Sequence, residues 1–416
     1  MPLEPAHRPL PGPRQILADS GSLYLANAII GFIFAASGPV AIILAVGSNG
    51  GLSESALSSW IFGAFFLNGL ITLLFCTLYR QPLVFFWTIP GTVLVGPALG
   101  HLAWPEVIGA FLATGALMFV LGLSGWVRRA MSAVPMPIVM GMVAGVFLRF
   151  GLGLVHAVRD DFWIAAPMVV AFLLLSATAA WARPFRFIPP LIGALIVGAV
   201  AVALLGKFQS SGGGLVGAHL LAQPEFVLPV FSWRAMVELV VPLAITVLVV
   251  QNGQGFAVLD AAGHKAPINV ITVACGAGSM LAALVGTVST CLTGPVNAII
   301  SASGERHRHY TAGLAVGVFA LAFGLLAPVF TRLMLATPPA FIAALAGLAM
   351  LRVLQTAFNV SFRERFTLGA LVTFLVTVAD VPIFHIGAPF WGLVIGYAVS
   401  RLLERKDFGT AASKGP

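Results

Sequence analysis

The chain has little charge and almost no cysteine: 9% of its 416 residues are Asp, Glu, Lys or Arg, and three are Cys. Soluble domains carry roughly 25% charged residues, so a solvated globular domain is excluded. Cys76, Cys275 and Cys291 lie in apolar runs without a CxxC spacing or a His partner, which argues against a disulfide framework or a metal site. There is no nucleophile–base pair, metal motif or phosphate loop, so neither an enzyme nor a cofactor is expected. Residues 1–20 include Pro2, Pro5, Pro9, Pro11 and Pro13 but no apolar core before Leu23, and read as a cytoplasmic tail, not a cleaved signal peptide.

What is present is apolar sequence, 59% of the chain, which reads as an all-α polytopic membrane protein. Cutting at charges, prolines and polar clusters gives fourteen segments, seven per half: 22–46, 55–79, 83–100, 106–126, 131–150, 162–181 and 188–206, then 234–258, 268–285, 287–302, 311–331, 337–354, 366–383 and 388–404. The halves resemble each other. PIVMGMVAGVFLR from Pro137 matches PAFIAALAGLAMLR from Pro339, and the offset of 202 also relates Ala144-Gly145 to Ala346-Gly347, Gly115 to Gly317 and Gly122 to Gly324. In so apolar a chain, a repeated half marks a secondary transporter with its site near the bilayer midplane. The organisation expected is a tail at 1–20, a first repeat at 21–206, a flexible external linker at 207–233 carrying Ser210-Ser211-Gly212-Gly213-Gly214, a second repeat at 234–404 and a cytoplasmic tail at 405–416.

Basic residues orient such a chain, because they concentrate in cytoplasmic loops. With the N-terminus inside, 17 fall on the cytoplasmic side, among them Arg8, Arg80, Arg183, Arg186, Lys265, Arg308, Arg352 and Lys414, and five fall outside: Arg149, Arg159, Lys207, Arg234 and Arg332. The net charge of +8 therefore reads as topology and contact with anionic lipid, not as a nucleic-acid surface.

The third and tenth segments are short and interrupted, at Thr88-Ile89-Pro90-Gly91-Thr92 and Thr293-Gly294-Pro295. Proline lacks the N–H that a helix interior donates but suits a first turn, so each run predicts an extended lead-in and then a half-helix starting inside the membrane. Unwound backbone at that depth needs protein or a water-filled cavity beside it. A helix start favours an anion, typically by about 0.3–1 kcal/mol. Thr88, Pro90, Gly91 and Thr92, facing Thr293, Gly294 and Asn297, are thus candidate substrate-binding residues. In the eighth segment Gln251 and Asn252 are further candidates, with interhelical hydrogen bonding as the alternative. Asp260 and Glu238 flank that segment as candidate proton carriers. Glu54, Glu106, Asp380 and His385 sit at predicted segment ends and read as solvated or capping groups, and Asn27 and Asn68 as packing amides.

The stretches Trp87–Gly91 (WTIPG), Gly122–Val155 and Gln251–Ile268 (QNGQGFAVLDAAGHKAPI) resemble the benzoate/proton symporter family. The resemblance implies an inverted-repeat fold of seven plus seven spans, shared with nucleobase and sulfate-type anion transporters. In that fold the first four spans of each half form a core holding the substrate, and the last three form a gate that often dimerises. Cys291–Glu305 departs from the expected pattern. Pro295 and Gln251 stand where nucleobase transporters carry acids, and removing both negative charges suits a carboxylate ligand. The expected function is import of a small aromatic carboxylate such as benzoate with a proton across a bacterial inner membrane, by rocking of core against gate, with Phe32, Phe34 or Trp87 covering the ring. A nucleobase or inorganic-anion carrier on the same fold, or a channel-like membrane protein, is the alternative. Proton coupling is physically sensible, since a monoanion entering against about 100 mV costs about 2.3 kcal/mol that one proton cancels.

Overall fold

The computed structural model describes residues 3–6, 9–131, 133–181, 189–208, 220–302, 304–384 and 386–412. Arg8, Arg183, Arg186, Ser210–Gly214, His385 and Lys414 lie outside the described residues. Among those described, seven helices are long and apolar enough to cross a membrane: Ser22–Asn49, Glu54–Tyr79, Trp104–Ser124, Met136–Asp160, Trp233–Ala261, Arg306–Leu325 and Pro339–Phe362. Shorter apolar helices, including Phe162–Ala177, Pro190–Leu204, Ile268–Ala283, Thr367–Ala379 and Ala388–Leu403, occupy the other segments read from the sequence.

The two interrupted segments take the predicted form. Strands β1 (Phe85–Trp87) and β2 (Thr290–Leu292) pair antiparallel, Phe85 opposite Leu292 and Trp87 opposite Thr290. Extended backbone buried among helices must find partners for its polar groups, and each strand supplies them to the other. The ladder continues at both ends, where Thr88 N–H donates to Ser289 O (2.9 Å) and Thr293 N–H to Val84 O (3.1 Å). Two half-helices follow, Ile89–Leu99 and Gly294–Ile300, each with its proline in the first turn.

Glycine contacts set the helix crossings around this pair. A Cβ on Gly276 would lie 2.4 Å from Phe119 N and 2.8 Å from Gly115 O, so Trp104–Ser124 and Ile268–Ala283 touch backbone to backbone. Gly69 and Gly317 do the same for Glu54–Tyr79 and Arg306–Leu325, at 3.0 Å from Gly317 O and 3.2 Å from Gly69 O. Met136–Asp160 crosses Pro339–Phe362, with Gly347 against Phe150 O at 2.7 Å.

Four features differ from the sequence reading. Met136–Asp160 and Pro339–Phe362 run well past 150 and 354, so Arg149 and Arg352 lie near the middle of their helices and not at the span ends. The eighth segment is not a plain α-helix, since Met236–Val240 and Thr246–Asn252 are π-helical. Where it is described, the stretch expected to be a flexible linker is held down: Ala222 N–H donates to Leu325 O (2.7 Å), Val227 N–H to Leu284 O (3.1 Å) and Val230 N–H to Pro105 O (2.9 Å). The N-terminal tail also packs. Pro13–Asp19 is helical, Asp19 pairs with Arg80 at 3.3 Å, and the Glu4 carboxylate accepts from Asn269 and Val270 N–H, both at 3.2 Å.

Candidate functional site

A cavity of about 800 Å³ opens between the broken segments and the crossing helices Met136–Asp160 and Pro339–Phe362. Its volume is that of a small-molecule site. Ile89, Pro90 and Pro295 bring both half-helix starts to its wall, Gln251 and Gln254 bring two amides, and Phe34, Met140, Phe147 and Phe172 make it largely apolar. A second pocket, of about 300 Å³, lies toward the other end of Ile89–Leu99, lined by Val93, Gly96, Pro97 and Gly100.

The first of these amides lies at the end of a π-turn and the second just beyond it. In Thr246–Asn252 an extra residue per turn rotates the face that follows, an irregularity frequent at functional sites. Gln251 is turned to the cavity and Asn252 away from it. Asn252 instead ties the eighth segment to the tenth: its Oδ1 accepts from Leu292 N–H of β2 (2.8 Å), and its Nδ2 donates to Cys275 Sγ (3.5 Å). Gln254, three residues on from Gln251, packs over the second half-helix start, leaving no room for a Cβ on Gly294, which would lie 2.5 Å from the Gln254 side chain.

Of the predicted substrate residues, Pro90 and Gln251 line the cavity, and the remainder are not among its lining residues. Thr88 caps the first half-helix, Oγ1 accepting from Gly91 N–H (3.1 Å) and donating to Thr246 Oγ1 (3.3 Å). The Thr92 hydroxyl donates to Thr88 O (3.0 Å). Thr293 precedes the second start without a side-chain cap. Asn297 is committed to structure: Val84 N–H donates to its Oδ1 (3.0 Å), while its Nδ2 donates to Thr293 O (2.7 Å) and Val84 O (3.2 Å). It extends the strand ladder by a side chain. Asn68 packs as expected, accepting from Thr290 Oγ1 at 2.8 Å.

Two of the three aromatic candidates point elsewhere. Phe34 lines the cavity, but Phe32 packs in a cluster with Phe65, Phe319 and Phe323, and Trp87 is buried against Phe65 and Phe86. The acidic candidates also separate. Asp260 is exposed near the end of Gly253–Ala261. Glu238 is 5% exposed, lies 2.9 Å from His101 Nε2, and abuts Gly387, where a Cβ would lie 2.5 Å from its Oε1. The sequence reading missed His101, whose partner is 137 residues distant. It also passed over Gln254, which the spacing of three from Gln251 could have placed on the same helix face.

The sequence profile of the family described as benzoate membrane transport protein matches residues 20–402, and the chain belongs to that family. It is 30% identical over 375 residues to inner membrane protein YdcO of Escherichia coli, covering 88% of this chain and 93% of that one. To the benzoate membrane transport protein of Acinetobacter baylyi it is 28% identical over 383 residues, covering 89% and 93%. Among solved structures it resembles SLC26A9, with a TM-score of 0.66 at 16% identity over 91% of this chain, which spans 64% of that one. It also resembles the transmembrane domain of the cyanobacterial bicarbonate transporter BicA, with a TM-score of 0.61 at 16% identity over 93% of this chain and 99% of that domain. These likenesses show the fold. The chain is a multi-pass membrane transporter and not an enzyme.

Proposed function

We propose that this member of the benzoate transport family imports a small aromatic carboxylate, benzoate or a close relative, together with a proton across the bacterial inner membrane. The observation that carries the reading is the composition of the large cavity: two half-helix starts, two amides, an aromatic and aliphatic wall, one arginine (Arg352) and, among the described residues, no carboxylate. A ring with one negative charge matches each part, whereas a neutral nucleobase would leave the positive helix end unanswered. Fourteen spans in two inverted repeats of seven account for the packing. The Gly115–Gly276 and Gly69–Gly317 crossings exchange when one half is laid on the other, as fourth-with-ninth and eleventh-with-second segments must.

In this reading the N-terminus is cytoplasmic, the large cavity opens inward, the smaller pocket is the narrower outer path, and the core rocks against the gate. A homodimer would form through the gate. Glu238 is the favoured proton carrier over Asp260, because it is buried, has His101 as partner and touches the gate at Gly387. The test is uptake into proteoliposomes of labelled benzoate, uracil and bicarbonate, with and without an inward proton gradient. Gradient-driven benzoate accumulation supports the reading. Uptake of uracil or bicarbonate alone, or benzoate flux that ignores the gradient, would refute it.

A further inference from the structure

Arg149 and Arg352 are each the fourteenth residue of a long helix, Met136–Asp160 of 25 residues and Pro339–Phe362 of 24. An arginine near the middle of a membrane-length helix is costly unless it faces protein partners or water, and such residues mark the paths of ions and substrates. Each faces a different opening. Arg352 is the one charged residue among those lining the large cavity, which also holds both half-helix starts. Arg149 is the one charged residue lining the smaller pocket. The two are near-equivalents in the repeat, twelve residues after Pro137 and thirteen after Pro339.

Their partners differ. Arg149 forms an ion pair of 2.7 Å with Asp380, which follows the helix Thr367–Ala379. Arg352 contacts the neutral Gln355 side chain at 3.3 Å, and among the described residues no carboxylate lies within ion-pair distance of it. The large cavity therefore carries an uncancelled positive charge, while the charge of the smaller pocket is balanced. A low-dielectric cleft focuses such a charge and raises the local concentration of an anion.

We propose that Arg352 and Arg149 are the anion-collecting residues of the two alternately open access paths, one per path, with Asp380 setting the strength of the outer one. The assignment rests on the reading of the protein as an anion transporter, and it concerns the gate, whereas the ligand contacts at the half-helix starts belong to the core. Arg352 would draw the carboxylate to the large cavity, and Arg149 would do so weakly when the smaller pocket widens.

Charged thiol reagents read the local potential without requiring transport. Thr356 lines the large cavity one turn beyond Arg352, and Gly153 lines the smaller pocket one turn beyond Arg149, where an added Cβ meets nothing within 4 Å. The native cysteines are buried. In Thr356→Cys protein at low ionic strength, negatively charged sulfonatoethyl methanethiosulfonate should react faster than its positively charged trimethylammonium counterpart. Adding Arg352→Gln should lower that rate ratio by roughly tenfold, Arg352→Lys should retain it, and high salt should erase the difference. In Gly153→Cys protein, Asp380→Asn should raise the ratio and Arg149→Gln lower it. Alongside, Arg352→Gln should raise the half-saturating concentration of benzoate presented from the large-cavity side roughly tenfold, more than from the opposite side. A rate ratio unmoved by Arg352→Gln, or a benzoate shift equal from both faces, overturns the proposal. If the wild type carries no benzoate but the thiol ratios move as stated, the substrate reading fails and the arginine assignment stands.

Discussion

Replacing Pro295 by Glu puts a carboxylate at the second half-helix start, on the wall shared by Pro90, Gln251 and Gln254. A benzoate bound as proposed would then meet a like charge in place of a positive helix end. At about 4 Å and an effective dielectric near 20, the repulsion is about 4 kcal/mol before relaxation, close to a thousandfold in affinity. Were the new carboxylate to pair with Arg352, which lines the same cavity, it would cancel positive charge there, so both routes weaken anion binding. Pro295→Gln is the control for loss of the proline, being close to Glu in size and uncharged. Proteoliposome uptake of labelled benzoate at neutral pH is the assay, with reconstituted protein quantified for each variant. The expected order is wild type near Pro295→Gln, with Pro295→Glu inactive. Equal uptake by the Gln and Glu variants would show that the anion does not bind at this helix start.

Gln251→Leu removes a cavity amide, and benzoate affinity measured by calorimetry should fall by about 1–3 kcal/mol with folding intact; an unchanged affinity assigns the amide to packing. Asn297→Leu should act on stability instead, since it strips partners from the buried backbone groups of Val84 and from Thr293 O, and a loss of several degrees in Tm is expected in detergent. Retention of the wild-type Tm would deny that structural role. Glu238→Gln should leave benzoate exchange between equal pools running while abolishing accumulation driven by a proton gradient; accumulation at the wild-type level would remove Glu238 from the coupling path.

The sequence made the broken segments legible because a Pro-Gly pair acts locally: it removes a helix donor wherever the chain folds. The strands and both half-helix starts fell where Pro90 and Pro295 required. Features that depend on what faces what were not legible. Asn297 looked like a ligand because it lies one turn into a half-helix, and only the position of Val84 across the ladder shows its amide to be committed. The π-turn at Thr246–Asn252, which ends on the two amides Gln251 and Asn252, has no local signature. Phe32 and Phe34 are two residues apart on one helix and face different surroundings. Charges and polar clusters served as cut points, so the segments read as 131–150 and 337–354 stop just after Arg149 and Arg352, whereas the helices continue to Asp160 and Phe362; that rule fails where a helix faces a water-accessible cavity.

The measurement that bears most directly on the central claim is the position of a heavy-atom benzoate in the protein. A structure with 4-iodobenzoate bound should place the carboxylate beside Pro90, Pro295 and Gln251, and the iodine signal in the apolar part of the large cavity near Phe34 and Phe172. An iodine signal outside that cavity, or a carboxylate directed away from both half-helix starts, would contradict the account.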